Sequence, residues 1–162
     1  MNQVFIKGIL LIWLLGVYVS CAEPFPELPP ETQTGENTFG CLVNNELVFA
    51  EGKKYVGAAY NQTANQLEIH AYCQFGQQFV FLVNDPLRKQ YSLLIDTLHY
   101  LPPNSTEWME ATQVGSLRLT RIDTQIPDIS VVSGIFLFDL NEAGRMPIHV
   151  TKGRFDLTFY SY

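Results

Sequence analysis

From about residue 38 to its end, the chain runs in short stretches where apolar and polar positions alternate one by one. Asn, Gly, Asp and Pro break these stretches every few residues. A period of two is the pattern of a β-strand with one face in a core and the other in solvent. Residues 66–74 show it best. Leu67, Ile69, Ala71 and Cys73 share one face, and Glu68, His70, Tyr72 and Gln74 share the other. Residues 38–43 and 46–50 flank Asn44-Asn45, and Asn tolerates the positive φ of a two-residue turn, so a hairpin is predicted there. A third strand is predicted at 55–60, ended by the polar run 61–65. Residues 78–83 are apolar on both faces, which predicts a central strand ended by Asn84-Asp85-Pro86. Two shorter strands are predicted at 91–95 and 97–100, then a loop at 102–108. Residues 115–122, 129–140 and 148–160 are rich in β-branched and aromatic side chains, with a turn at 141–144. In the last of these, Phe155, Leu157 and Phe159 alternate with Arg154, Asp156, Thr158 and Tyr160. No stretch keeps a helical period. The prediction is an all-β domain, an antiparallel β-sandwich or flattened barrel of about eight to nine strands. Pattern alone does not choose between sandwich and barrel.

The first twenty residues follow a different rule. Lys7 and the N-terminus give a short positive region, residues 8–17 are apolar, and Val19-Ser20 places a small residue before Cys21. Such a segment is too short to span a bilayer and fits a lipoprotein signal peptide over residues 1–20, removed on maturation. Cys21 would then carry acyl chains, and more than one chain gives stable anchoring. Residues 21–36 follow as the lipidated Cys and a tether, with Pro24, Pro26, Pro29 and Pro30 set among Glu23, Glu27, Glu31 and Glu36. That composition predicts an extended, charged spacer. Residues 37–162 form the single β domain. The implied location is the cell envelope, lipid-anchored at the outer membrane, on either its periplasmic or its surface face.

Charge narrows the partners. The net charge is −6, and loss of the first twenty residues, with Lys7, makes it −7. An acidic chain without a basic patch in its sequence is not built to neutralise phosphates, so no nucleic acid is expected. Cys41 and Cys73 remain once Cys21 is lipidated. They are candidates for one disulfide, worth about 3.5 kcal/mol for a loop of about thirty residues, or for two buried thiols that behave as small apolar groups.

Two segments carry a resemblance. ETQTGENTFGCLVN, from Glu31 to Asn44, is similar to the start of the mature domain in a group of Bacteroidota lipoproteins of unknown function. The C-terminal half resembles the same group through LTRID (119–123), VVSGIFLFD (131–139) and TKGRFDLTFY (151–160). The resemblance implies an envelope lipoprotein with a β domain and carries no activity or functional residue with it.

Candidate chemistry is sparse. The sequence has no nucleophile elbow, HExxH, P-loop, dinucleotide fingerprint or EF-hand loop, so no catalytic residue, metal or cofactor is assigned. On a strand, His70 and Cys73 fall on opposite faces and cannot share a metal. Glu68, His70 and Tyr72 share a face, either as a ligand-binding strip or as the solvated side of a sheet. Arg121 with Asp123, and Arg154 with Asp156, read as structural pairs. Trp108 is the sole Trp after residue 20 and lies in a polar, Pro-rich loop near Tyr100. Together these two are candidate ligand contacts, the alternative being a Trp that lids one end of the core. These features imply a membrane-anchored, non-enzymatic binding module for a glycan, small ligand or envelope protein. A structural or assembly lipoprotein with no small ligand is the alternative, and a hydrolase with no recognisable motif the third reading.

Overall fold

The computed structural model describes residues 27–87, 93–123 and 130–161. The signal segment and Cys21 lie outside the described residues, as do parts of the strands predicted at 91–95 and 129–140. Among the described residues nine strands form in order: β1 (Thr38–Val43), β2 (Glu46–Glu51), β3 (Val56–Asn61), β4 (Gln66–Tyr72), β5 (Gln78–Asn84), β6 (Leu93–Leu101), β7 (Met109–Asp123), β8 (Ser130–Leu140) and β9 (Ile148–Ser161). A single 3₁₀ turn over Gln74–Gly76 joins β4 to β5. The fold is all-β, as the alternation predicted, and it closes as a barrel.

Strands β3 to β9 follow one another as an antiparallel meander, and β9 pairs back onto β3. That last pairing is parallel, joining Ala58 to Phe159 and Tyr60 to Ser161, the exception in an otherwise antiparallel sheet. Its cause lies in the first hairpin. β1 pairs antiparallel with the first part of β9, from Val150 to Asp156. β2 returns beside β1, so it runs parallel to β9. The short turn at 52–55 then passes the chain into β3 in the same direction, and β3 takes over the edge of β9 beyond β1. The β1–β2 turn at Asn44-Asn45 has φ of 50° and 70°, the left-handed geometry that Asn was expected to supply.

Inward positions fill the barrel with rings. Phe39 lies 5.1 Å from Phe79 and 5.2 Å from Phe136, centroid to centroid, and Phe81 lies 5.0 Å from Phe136. Leu67, Ile69, Ile95, Leu98, Leu117 and Leu157 complete the packing, each below 2% exposed. A barrel of this strand number is filled by its own side chains.

Three predicted spans change. The strands expected at 91–95 and 97–100 are one strand, β6. β7 starts at Met109, earlier than expected, because Met109 and Ala111 already face inward. Gly115, at φ +65°, and a register shift opposite residues 93–95 then change the phase of the alternation. β5, expected to be buried on both sides, buries only Phe79, Phe81 and Val83. Val80 and Leu82 are half-buried on the outside.

The predicted tether is the larger correction. Its second half is folded onto the barrel. Pro29 is buried. Thr32 Oγ1 donates to Asp156 at 2.6 Å, and the backbone N–H groups of Thr34, Gly35 and Glu36 donate to the same carboxylate at 2.9–3.1 Å. Ser133 Oγ donates to it at 2.6 Å. Asp156 is an outward position of β9, yet it is only 1% exposed because this segment covers it. Its expected partner was Arg154. Arg154 instead reaches Glu31 at 3.6 Å: the two residues of the expected pair share a strand face, but the docked segment and Ser133 already occupy the Asp156 carboxylate. Gly35 has φ +80°, and a Cβ there would lie 2.9 Å from Thr158 Cγ2, so the nest of N–H groups requires glycine. Asn37 finishes the junction, its Oδ1 accepting from the Thr158 N–H at 3.1 Å and Oγ1 at 2.8 Å. Arg121 donates to the Gln33 carbonyl and pairs with Asp123 at 3.4 Å, the pair the sequence predicted. The four motif segments that read as separate signatures therefore meet in one latch.

Candidate functional site

The strip predicted at Glu68, His70 and Tyr72 lies on the outer wall, and register shows what stands beside it. One cross-strand row runs Gly57, His70, Val80, His99, Glu110 across β3 to β7. The next, one pleat away, runs Ala59, Glu68, Leu82, Thr97, Thr112. On the other side, Tyr72 pairs with Gln78 and Gln78 with Leu101. One step before Met109, which pairs with Tyr100, Trp108 extends that row. Tyr55 extends it at the other end, its carbonyl accepting the Tyr72 N–H at 2.8 Å.

Two aromatic groups result. Tyr55 and Tyr72 are each 48% exposed, and the His70 and Tyr72 rings lie 5.9 Å apart. His70 also lies across Gly57, its Nε2 2.8 Å from where a Cβ would sit, so glycine at that position lets the imidazole lie flat on the wall. On the far side Trp108, 45% exposed, meets His99 edge-on at 6.4 Å, and His99 Nδ1 lies 3.7 Å from Glu110. Val80, Leu82, Gln78 and Leu101 form the floor between them. Three strand spacings separate β4 from β7, about 14 Å along the wall. Phe75, 73% exposed, lies in the 3₁₀ turn that follows β4.

Tyr100 does not belong to this face. It was expected to line a contact with Trp108, but its side chain points inward, 1% exposed, with its ring 4.9 Å from Phe79. Alternation explains the separation. Tyr100 has the parity of Leu98, whereas Trp108 stands opposite the outward Leu101. Burial, with the two nearby thiols, raises the Tyr100 phenol to about 12. Cys41 and Cys73 are free thiols, both buried on the inner face. Burial raises both, Cys73 to about 12, and the proximity of Cys73 raises Cys41 further. His70 and Cys73 lie on opposite sides of the wall, as the strand parity required.

Glu68 and His70 share the face but make no hydrogen bond to each other among the described residues. His149 Nδ1 lies 2.8 Å from the Asp139 carboxylate oxygen Oδ1, on an exposed part of β8–β9, and among the described residues no hydroxyl or thiol is hydrogen-bonded to that imidazole. Among the described residues no group of three or more His, Cys, Asp or Glu is placed to hold a metal, and no helix is long and apolar enough to cross a membrane. Tyr55 and His99 were missed as members of the face. Outward parity with Thr97 and Leu101 marks His99, but its neighbours follow only from which strands pair.

Comparison with protein-family models, curated protein sequences and solved structures finds no match.

Proposed function

We propose that this chain is a lipid-anchored binding module of the cell envelope, and that the outer wall of β3–β7 contacts an extended polar ligand, a glycan chain. The observation that carries the reading is the row Tyr55, Tyr72, Gln78, Leu101, Trp108. It puts half-exposed rings at both ends of a shallow, uncharged floor. Sugar rings present apolar C–H faces that stack on aromatic rings and polar rims that hydrogen-bond to amide and imidazole groups. Gln78, His70 and His99 supply such groups on the same surface. An open face suits a chain that lies across it, where a closed pocket would suit a small molecule. Residues 1–21 support the anchor through their signal-like pattern. With Pro29 docked, the step from Cys21 to Pro29 can reach at most about 25–30 Å at 3.3–3.6 Å per residue, which keeps the module close to the bilayer.

A glycan array probed with the purified full chain, followed by titration of the hits against Trp108 fluorescence, tests the reading. Hits should change the emission. Trp108→Ala and Tyr72→Ala should each weaken binding about 5- to 10-fold, the equivalent of about 1–1.4 kcal/mol. An array without hits, or hits unaffected by both substitutions, would favour a structural or assembly lipoprotein.

A further inference from the structure

A second concave surface lies on the opposite part of the wall and has different chemistry. The register Arg118–Ile135–Arg154 runs straight across β7, β8 and β9. Ser116 pairs with Leu137 in the neighbouring row, and Lys152 stands two residues before Arg154. The docked N-terminal segment supplies one side of the groove through Leu28 and Glu31. Its volume is about 360 Å³, within the range of small-ligand sites.

Three cations border this one groove in a chain whose net charge is negative. Glu31 is the one carboxylate among the lining residues, and it engages Arg154 at 3.6 Å. Arg118 and Lys152 have no acidic partner among the described residues. Arg154 Nε is buried and lacks an acceptor. A buried donor without a partner calls for a physical explanation, and gathering like charges is unfavourable unless something neutralises them. Beneath the charges lie apolar surfaces: Ile135 half-buried, Leu137 54% exposed, and Leu28 on the docked segment.

We propose that this groove binds an anionic amphiphile, an oxyanion headgroup carrying an apolar chain. The headgroup lies between Arg118, Lys152 and Arg154, where guanidinium forks match a phosphate or carboxylate in two-point hydrogen bonds. The chain lies along Ile135, Leu137 and Leu28. This site is independent of the aromatic face, which shares only β7 with it, at that strand's other end, and carries no such cluster of cations.

Hexyl phosphate is the probe, with inorganic phosphate and hexanol as controls. Each is titrated into the purified full chain mixed with phosphatidylcholine nanodiscs, and read by melting temperature and by backbone amide shifts in nitrogen-15 NMR. Hexyl phosphate should raise the melting temperature and move the amides of residues 118, 135 and 154, and the controls should do so at least ten times more weakly. Arg118→Gln and Lys152→Gln sit on exposed side chains and should each weaken binding 3- to 10-fold without lowering the melting temperature of the free protein. Leu137→Ser should weaken hexyl phosphate but not inorganic phosphate. If discs containing phosphatidylglycerol compete with the probe, the natural source is a membrane lipid headgroup; if they do not, it is a soluble amphiphile, and either result supports the site. No binding of hexyl phosphate, equal binding of inorganic phosphate or hexanol, or full binding by the double Arg118→Gln, Lys152→Gln variant would overturn it.

Discussion

Replacing Asp156 with Asn should unfasten the N-terminal segment from the barrel. The carboxylate accepts from five donors: the hydroxyls of Ser133 and Thr32 and the backbone N–H groups of Thr34, Gly35 and Glu36. Four of them converge on Oδ2, so the amide oxygen of Asn would take that side and its NH₂ would face Ser133. Ser133 can rotate to accept, and Gly35 can keep its bond to the remaining oxygen. What Asn cannot restore is charge, and hydrogen bonds to a charged acceptor are worth about twice neutral ones. Losing roughly 0.5–1 kcal/mol at each of several bonds predicts a cost of about 2–4 kcal/mol. The cost has a ceiling, because a detached segment regains water on its N–H groups. Urea unfolding should show a lower midpoint, and hydrogen exchange should speed up most at Gly35 and Glu36. The pH dependence provides a sharper check. Burial alone would raise the Asp156 carboxyl, but the hydrogen bonds from Ser133, Thr32, Glu36 and Gly35 outweigh it and hold the group below its usual 3.8. A depressed folded pKa contributes stability that is present above the unfolded value and is lost as pH falls through the folded one. The gap between wild type and Asp156→Asn should therefore be full above about pH 4 and shrink below it. An unchanged urea midpoint with unchanged exchange, or a gap undiminished between about pH 5 and pH 2, would refute the argument.

Gly35→Ala should cost about 1–2 kcal/mol in urea, since it forces an L-residue into the left-handed region against Thr158. Phe39→Ala removes a ring packed against Phe79, Phe81 and Phe136 and should cost about 3–5 kcal/mol; a loss under 1 kcal/mol would argue against the packed interior. Trp108→Ala should change stability by no more than about 1 kcal/mol, and its native emission should be quenched by acrylamide; a blue-shifted, unquenched emission would put the ring in a core. With the thiol of Cys73 raised from 9.0 to about 12, its thiolate fraction at neutral pH falls roughly a thousandfold. Native protein should therefore resist alkylation, and denatured, unreduced protein should yield both Cys41 and Cys73 to it; failure to alkylate either in denaturant would reveal a disulfide.

Much of the architecture was legible because it is local. Leu67, Ile69 and Ala71 had to share a face whatever the fold, since successive strand residues point to opposite sides. Asn44-Asn45 suited the hairpin turn because few other residues adopt that φ cheaply. The same rule kept His70 and Cys73 apart and paired Arg121 with Asp123. Other outcomes needed the third dimension. Tyr100 and Trp108 are near in sequence but lie on opposite sides of the wall, because the loop at 102–108 sets the phase at which β7 begins. His99 joins His70, and Tyr55 joins Tyr72, only through a register that no single strand encodes. The residues read as a free tether are held by Asp156, a carboxylate more than a hundred positions away, and chain composition carries no trace of a distant acceptor. Arg118, Lys152 and Arg154 look scattered along an acidic sequence, and closure of β7, β8 and β9 side by side concentrates them. Alternation decides which way a side chain points, because that depends on the dihedrals of its own strand. What it points at depends on which strands the backbone hydrogen bonds bring together, and only the closed barrel decides that.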